Sequence, residues 1–469
     1  MPLFYKPTDG VAADFIPFYW QGRFHLFYLK DYRDIPAHGE GTPWFQLVTV
    51  DFVHFEEWGE SLPRGPVGSQ DQWVFTGSVF EKDGTFHIFY TGHNHHLAKE
   101  NKPVQAVLHA TSYDLKTWVK DEGFALFAPA DGYEINDWRD PFIYRDARYN
   151  EYGMLLAART TGGASRHRGC VALATSLDLM SWKVQDPFWA PQLYFTHECP
   201  DLFKIGDWWY LIYSTFTERS VTHYRMARTL DGPWLCPPDD QFDSRAFYAA
   251  KTASDGDRRF IFGWLPTRDG EKDEGSYQWG GNLVTHEVKQ QPDGTLSVRS
   301  PDTVLDHFLT PVSLSPEIRM GRWMSSSGTF HVGATGRFAS LLLGAMPETC
   351  LINAKVLMKP GTVSAGLILR SDDAYDNYYQ LRIEPASRRI VFDRWPRPGD
   401  QPHMHERPLE VSWVDPIHLR VIVDGTCMVA YINDRVALSS RIYNHRAGQA
   451  GLFAMEGDVT FTDVTVWSH

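Results

Sequence analysis

The amino-acid sequence predicts an all-β protein in which a five-bladed β-propeller is followed by a C-terminal β-sandwich. Two observations predict the propeller. A hairpin rich in aromatic residues recurs five times in roughly the first 300 residues, and helical patterns of three or more turns are rare there. Units of about 40–60 residues with several strands each are typical of propeller blades. After residue 308 the pattern changes to short alternating strands, which predicts the sandwich.

The recurring hairpin joins two apolar, aromatic-rich runs through a short polar turn, and this composition favours strands. Two copies share a sequence, because His25–Tyr28 is His-Leu-Phe-Tyr and His87–Tyr90 is His-Ile-Phe-Tyr. The five predicted hairpins are Asp14–Leu29, Thr76–Thr91, Asp140–Ala158, Glu198–Thr215 and Tyr248–Trp264. We therefore predict one blade for each hairpin.

A second marker of the repeat is an aspartate that is followed within four residues by an aromatic residue. Its copies begin at Asp51, Asp114, Asp178 and Asp231, in steps of 63, 64 and 53 residues. These aspartates recur with the blade and not with any one site. We therefore interpret them as turn residues.

The repeat ends near Trp279–Asn282, and we assign residues 1–308 to the propeller. Residues 309–324 contain Pro311 and Pro316 and are predicted to be a linker, with the sandwich at 325–469. Its predicted strands are Thr329–Val332, Cys350–Leu357, Ala365–Arg370, Tyr378–Glu384, Arg389–Asp393, Ile417–Val423, Cys427–Ile432 and Gly451–Ala454.

The composition limits the classes of partner. The chain has 45 Lys and Arg against 58 Asp and Glu, a net charge of −13. Nucleic acids and anionic membranes need a basic surface, so we expect neither as a partner. The 17 tryptophans suit a sugar-binding cleft, although large aromatic residues also fill all-β cores. A carbohydrate is the expected partner, and the sequence predicts no oligomeric state.

The chain offers no sign of export. Its first residues lack a basic segment followed by an apolar one, so we expect a cytoplasmic protein without a signal peptide. The five cysteines are an odd number without metal-type spacing, which favours reduced thiols. They are Cys170, Cys199, Cys236, Cys350 and Cys427.

Three of the hairpins begin with a carboxylate: Asp14, Asp140 and Glu198. The first strand of each blade lines the axis of a propeller, so three acids at equivalent points of the repeat would converge at one end of the channel. Hydrolysis of a glycosidic bond needs one carboxyl group to protonate the leaving oxygen and another to attack the anomeric carbon or activate water. A third carboxylate can bind ring hydroxyls more tightly in the transition state. The pattern therefore predicts a glycosidase site.

The motifs around these acids resemble those of glycoside hydrolase family 32, the group of invertases, levanases and inulinases. The matching stretches are Glu198–Phe203, Trp138–Pro141, Phe75–Ser78, Thr49–Phe55, Phe247–Ala250, Phe260–Trp264, Val423–Gly425, Ile432–Asp434 and Ser440–Tyr443. The resemblance implies the same two-module fold and retaining hydrolysis of β-fructofuranosides through a covalent intermediate, without cofactor or metal. By position it implies that Asp14 is the nucleophile, Glu198 the acid/base and Asp140 the transition-state stabiliser, with Arg139 beside it.

The first motif departs from the family pattern. The family has Trp-Met-Asn-Asp-Pro-Asn-Gly, whereas Gly10–Pro17 contains neither asparagine. The family's glutamine after the hairpin is replaced by Leu29, with Lys30 and Asp31 next. Because the missing groups help to hold fructose in the family, we expect poor hydrolysis of plain sucrose relative to some other furanoside. Lys30 and Asp31 either supply a cation and an acceptor at the pocket rim or are solvated loop charges.

Further residues are candidates for substrate binding or for a metal. Phe75, Thr76 and Ser78 belong to the matching motif of the second blade, and Trp44, Trp73 and Trp279 are candidates for stacking on a sugar. His93, His95 and His96 suggest a metal site, but without a nearby third ligand we predict none. Three other functions stay open: an arabinofuranosidase-like enzyme, a fructosyltransferase, and a sugar-binding propeller with a vestigial site.

Overall fold

The computed structural model describes residues 2–245, 247–326, 328–397, 400 and 404–469. Its regular structure is almost entirely antiparallel β-sheet, as predicted. The strands up to residue 299 fall into four sheets and the later strands into two. The helical segments are single turns or little longer: Ile35–His38, His95–Glu100, Ser165–His167, Asp269–Glu271 and Asp302–Leu305. None of these helices in the described ranges has the length and apolar character needed to cross a membrane.

The first two units of the repeat are four-stranded meanders in which each strand pairs with the next. The first consists of β1 (Val11–Trp20), β2 (Arg23–Asp31), β3 (Trp44–Thr49) and β4 (Glu56–Leu62). The second consists of β5 (Trp73–Lys82), β6 (Thr85–His93), β7 (Gln105–Ser112) and β8 (Val119–Lys120).

The remaining units are also antiparallel meanders, with three strands in the fourth unit and four in the other two. The third has β9 (Tyr133–Asp146), β10 (Glu151–Thr160), β11 (Gly169–Ser176) and β12 (Lys183–Val184). The fourth has β13 (Glu198–Ile205), β14 (Trp208–Thr215) and β15 (Val221–Ala227), and the last has β16 (Tyr248–Ser254), β17 (Arg259–Arg268), β18 (Tyr277–Gln290) and β19 (Leu296–Arg299). All five predicted hairpins are present. Ala12 pairs with Gly281, which joins the first and last units in one sheet. The count of five blades stays a prediction.

The repeated aspartate marks the turn after the third strand of the first three units. One carboxylate oxygen of Asp51, Asp114 or Asp178 accepts two backbone N–H bonds of 2.7–3.0 Å from residues two and three positions later. The residue directly after each aspartate has a positive φ of 61–71°. The interpretation as turn residues is confirmed for these three. Asp231 also lies in a turn, in which the Gly232 N–H donates to the Thr229 carbonyl at 3.1 Å, but its carboxylate pairs with Arg148 at 2.8 Å.

The C-terminal strands form two sheets, as expected for a sandwich. They are β20 (Thr310–Pro311), β21 (Glu317–Met320), β22 (Trp323–Ser326), β23 (Thr329–Gly333), β24 (Phe338–Ala345), β25 (Thr349–Met358), β26 (Ser364–Ser371), β27 (Tyr378–Glu384), β28 (Arg389–Trp395), β29 (His405–Pro408), β30 (Ile417–Asp424), β31 (Cys427–Ile432), β32 (Val436–Arg441), β33 (Gln449–Met455) and β34 (Asp458–Ser468). β20 pairs with β34 and β21 with β24, so strands of the sandwich sheets lie inside the segment predicted as linker. The boundaries at 308 and 325 stay a prediction.

A buried polar network connects the sandwich to the strands that carry part of the site. Arg441 on β32 donates to the carbonyls of Leu265 and Pro266, both at 2.8 Å, and to Oδ1 of Asn282 at 2.7 Å. These partners lie on β17 and β18, the strands that also carry Trp264 and Trp279. Because a buried guanidinium is costly unless it is hydrogen-bonded, this network holds both strands in a defined position.

Candidate active site

The first strand of every unit contains a β-bulge, in which the strand has one residue more than its partner. A bulge bends a strand and re-aims its side chains. Four of the bulge residues have a positive φ: Asp14 (46°), Asp140 (57°), Cys199 (51°) and Ala249 (49°). Such angles are uncommon for residues other than glycine and cluster at functional sites. The bulges of successive units therefore direct equivalent side chains toward the axis of the propeller, at the same height along it.

The bulges correct the predicted alignment of the acids. Asp14 and Asp140 occupy equivalent bulge positions, as expected. Glu198 lies one residue before its bulge, where the third unit has Arg139 and the last unit has Tyr248. The expectation that all three acids occupy one repeat position is therefore wrong for Glu198. Neighbouring residues on a regular strand would face opposite sides, but the bulge allows Arg139 and Asp140 to line the same cavity.

The three acids converge on one cavity of about 410 Å³. Its other walls are Phe75, Gln105, Asp137, Arg139, Cys199, Phe216, Tyr248 and Trp279. Several carboxylates and aromatic rings around one concave site suit a sugar, which presents both hydroxyl groups and apolar faces.

Asp14 accepts two hydrogen bonds in the wall of this cavity. Thr76 Oγ1 donates to its Oδ2 at 2.5 Å, and Trp264 Nε1 donates to its Oδ1 at 3.0 Å. Burial raises the pKa of Asp14 to about 7, and the negative charges of Asp140 and Glu198 act in the same direction. The two donors oppose that rise, because they stabilise the ionised form. A carboxylate so placed can be ionised near neutral pH and is held in a fixed orientation.

Glu198 is held by two different donors. Arg139 Nη2 donates to its Oε1 at 3.0 Å, and the hydroxyl of Tyr248 donates to its Oε2. Burial raises the pKa of Glu198 above its ordinary value, and the positive charge of Arg139 only partly offsets this effect. A raised pKa keeps a carboxyl group protonated toward neutral pH, as a general acid requires.

Asp140 is fixed through its backbone and one oxygen. Its N–H donates to Thr91 Oγ1 at 2.7 Å, and its Oδ2 accepts from the N–H of Cys199 at 2.9 Å. Arg139 Nε lies 3.9 Å from the same oxygen. Among the described residues no hydrogen bond reaches Oδ1 of Asp140, which leaves that oxygen for a hydroxyl group of a ligand.

The predicted substrate-binding residues fall into three groups, in the catalytic cavity, in a second cavity, and in neither. Phe75, Arg139 and Trp279 line the cavity, and Thr76 acts through Asp14. Asp31 lines a second cavity described below. Three others contribute to neither wall. Trp44 is fully buried with its indole bonded to the Phe75 carbonyl, Ser78 accepts the N–H of Ile143, and Lys30 is buried with its ammonium 2.7 Å from Asp9.

The residues predicted from the sequence omit several polar or aromatic groups of the site, among them Phe216 of the cavity wall. Tyr248 was detectable, because it begins the fifth hairpin as Glu198 begins the fourth. Trp264 ends that same hairpin. Gln105 and Asp137 lie on β7 and near the middle of β9, and no motif marked them.

A second cavity, also of about 410 Å³, lies beside the first and shares Phe75 and Trp279 with it. Its further walls are Asp31, Tyr32, Arg33, Asp34, Ile35, Gly39, Glu40, Gly41, Thr42, Trp73 and His95. Arg33 is the one arginine among the described residues of its wall, and that guanidinium already donates to Thr267, Gln278 and the Trp279 carbonyl at 2.6–2.7 Å. The carboxylates of this cavity therefore outnumber its available cations.

Tyr248→Phe is expected to shift the basic limb of the pH profile of kcat/KM to higher pH. The hydroxyl favours the ionised form of Glu198, so its removal raises the pKa of that carboxyl group further. A hydrogen bond to a charged group is worth about 1.5–3 kcal/mol, which corresponds to roughly one to two pH units. A profile measured from pH 4 to 9 checks this, and an unchanged or lowered basic limb would contradict it.

Comparison with known proteins decides the family. The family model described as "Glycosyl hydrolases family 32 N-terminal domain" matches residues 7–291, and the model "Glycosyl hydrolases family 32 C terminal" matches residues 321–468. The chain belongs to glycosyl hydrolase family 32. It is therefore a glycosidase, as the resemblance of the motifs implies.

Relatives of this family 32 chain extend over nearly its whole length. It is 24% identical to raffinose invertase of Escherichia coli, across 96% of this chain and 90% of the relative. It is also 24% identical to sucrose-6-phosphate hydrolase of Zymomonas mobilis, across 96% and 88%. Levanbiose-producing levanase of Bacillus subtilis is 22% identical, across 96% and 87%.

Solved structures share the fold of this family 32 chain. Exo-inulinase from Aspergillus awamori superposes with a TM-score of 0.72 at 16% identity, over 100% of this chain and 98% of that one. Fructan 1-exohydrolase IIa from Cichorium intybus gives a TM-score of 0.73 at 15% identity, over 98% and 96%. The predicted architecture of a propeller followed by a sandwich is thereby confirmed.

Proposed function

We propose that this family 32 enzyme hydrolyses a β-fructofuranoside with retention of configuration. One observation carries the proposal: Asp14 and Glu198 line the same cavity in different environments. Asp14 is held by two neutral donors, and Glu198 by a guanidinium and a phenol. A pair of carboxyl groups with distinct surroundings can divide the roles of nucleophile and acid.

The first step forms a bond between Asp14 and the anomeric carbon. Glu198 gives its proton to the glycosidic oxygen, and the leaving group departs as an alcohol. In the second step Glu198 takes a proton from water, whose oxygen displaces Asp14 from the sugar. Oδ1 of Asp140, to which no described residue donates, would accept a hydrogen bond from a ring hydroxyl and bind it more tightly as positive charge develops on the ring. Retention requires Asp14 and Glu198 carboxyl groups about 5–5.5 Å apart.

The second cavity supports the assignment of a neutral leaving group. It shares two aromatic walls with the catalytic cavity, so a substrate that spans both would place the fructosyl ring on Asp14 and its leaving group beside Trp73. Asp31, Asp34 and Glu40 make these walls acidic. A phosphorylated leaving group would meet like charge there, which costs several kcal/mol at an interface. An uncharged sugar fits this cavity better.

We expect kcat/KM for the best neutral fructoside to exceed that for sucrose 6-phosphate by at least about tenfold, since 1.4 kcal/mol gives one decade. Sucrose, inulin, levan and sucrose 6-phosphate would be compared in metal-free buffer, with the first fructose anomer identified by NMR. Release of the β-anomer first supports retention. Release of the α-anomer first, or no fructose from any of the four, would overturn the proposed function. Faster turnover of the phosphorylated sugar would overturn the leaving-group assignment alone.

A further inference from the structure

Two histidines and a glutamate from distant parts of the chain meet at the mouth of the second cavity. His95 and His96 begin the short helical segment His95–Glu100, and Glu40 lies in the loop between β2 and β3. One ligand atom from each side chain lies within 4.8 Å of the other two. In the sequence no third ligand lies near these histidines, so the sequence alone predicts no metal site. Glu40 supplies that ligand from 55 residues earlier.

We propose that Glu40, His95 and His96 bind a divalent transition-metal ion of the Zn²⁺ class, and that the bound ion narrows the mouth of the second cavity. Imidazole nitrogens and a carboxylate oxygen are ordinary zinc ligands, and three protein ligands leave one position for water or a hydroxyl group. Ligand atoms of a tetrahedral zinc site lie about 3.4 Å apart, given bonds of about 2.0–2.1 Å. Glu40 and His95 are exposed, so small side-chain rotations close the remaining gap.

The backbone on both sides of this site is held in place. Arg64 donates to the carbonyls of Gly39–Gly41 at 3.0–3.4 Å, which fixes the loop that carries Glu40. The buried side chain of Asn94 accepts the backbone N–H of His96 at 3.0 Å. His96 Nε2 already lies 2.8 Å from Glu40 Oε2. Groups that orient metal ligands in this way raise the affinity of a site.

The position of the site connects it to hydrolysis. The ring of His95 packs on Trp73 with 4.5 Å between centroids, and both residues line the second cavity. A metal ion bound to His95 and Glu40 would therefore lie in the wall of the second cavity. A leaving group that enters or leaves this cavity would have to pass the ion. Occupancy should slow turnover of substrates that reach into this cavity.

The test is calorimetric titration of ZnCl₂ into the full chain after dialysis against EDTA. We expect one equivalent to bind, and binding at least about tenfold weaker in Glu40→Gln and in His96→Gln, as for loss of a ligand or of its orienting partner. His331→Gln is the matched control. His331 is a single imidazole 3.7 Å from the carboxylate of Asp458, so its loss should leave binding as in the wild type. Thermal unfolding of each variant verifies the fold.

The second measurement is the rate of hydrolysis at saturating Zn²⁺. For each protein this rate is compared with the rate of the same protein without zinc. We expect saturating Zn²⁺ to inhibit the wild type and the His331→Gln variant, and we expect this inhibition to be lost in His96→Gln. Equal zinc affinity in the wild type, Glu40→Gln and His96→Gln would show that the ion binds elsewhere and would overturn the site. Bound zinc without inhibition of the wild type would overturn the narrowing of the cavity.

Discussion

Glu198→Gln is expected to lower kcat on an unactivated fructoside by about 10²–10⁴-fold, which is the usual worth of a general acid. Glutamine cannot supply the proton, but it can replace the contacts of the carboxyl group. Its amide oxygen can accept from Arg139, and its NH₂ group can donate to the oxygen of Tyr248, so the fold should be kept. The loss should be much smaller on an aryl fructoside, whose leaving group departs without protonation. Steady-state rates on both substrates check the prediction.

Glu134→Gln is the matched control for this variant. Glu134 also accepts hydrogen bonds from guanidinium groups, those of Arg159 and Arg168 at 2.9–3.3 Å, but it does not line the catalytic cavity. It should keep wild-type rates on both substrates. If Glu198→Gln were nearly as active as the wild type on the unactivated substrate, Glu198 would not be the acid. An equal loss on both substrates would point instead to a role in binding.

The hairpins were predictable because their signal is local. Alternating apolar and polar residues, aromatic content and a polar turn are all contained in about fifteen residues. Because the pattern is repeated, an irregular copy can be recognised from the others. The turn residue Asp114 illustrates this, since its carboxylate accepts hydrogen bonds from the N–H groups of the residues two and three positions later. The convergence of Asp14 and Asp140 followed from their equivalent positions in the repeat, whereas Glu198 reaches the same cavity from one residue before its bulge.

Contacts between distant segments could not be found in this way. Alternation along a strand places Arg139 and Asp140 on opposite faces, and only the bulge, with its positive φ at Asp140, overrides that rule. Lys30 illustrates the same limit. Its position after the first hairpin suggested the pocket rim, yet its ammonium pairs with Asp9 and lies 4.3 Å from the ring centre of Phe45. Such pairings depend on side chains that meet only after folding.

Asp14→Asn is expected to abolish turnover, with a loss of about 10³–10⁶-fold, the range for removal of a nucleophile or its partner in other hydrolases. An amide cannot form the covalent intermediate, and no other carboxylate replaces it, because Asp140 is bound by the Cys199 N–H in its own orientation. Rapid quenching followed by mass spectrometry should detect a fructosyl group on the wild-type peptide that contains Asp14. The variant should show none. Label on the variant, or substantial activity, would contradict the assignment.

The same substitution is expected to stabilise the fold above neutral pH. The pKa of Asp14 is about 7 in the folded chain against an ordinary value of 3.8, so the wild type loses stability as pH rises between these values. Asparagine has no charge to bury, so the variant is free of this loss. The Tm of the variant should exceed that of the wild type by an amount that grows from pH 4 to pH 7 and then levels off. Asp243→Asn is the comparison. Burial raises the pKa of Asp243, but its hydrogen bonds with His286 and Ser439 outweigh burial and hold that pKa below its ordinary value, so neutralising this carboxylate should lower Tm above pH 4. A Tm of Asp14→Asn below that of the wild type at pH 8 would show that Asp14 stabilises the fold, and its role would then have to be reassigned.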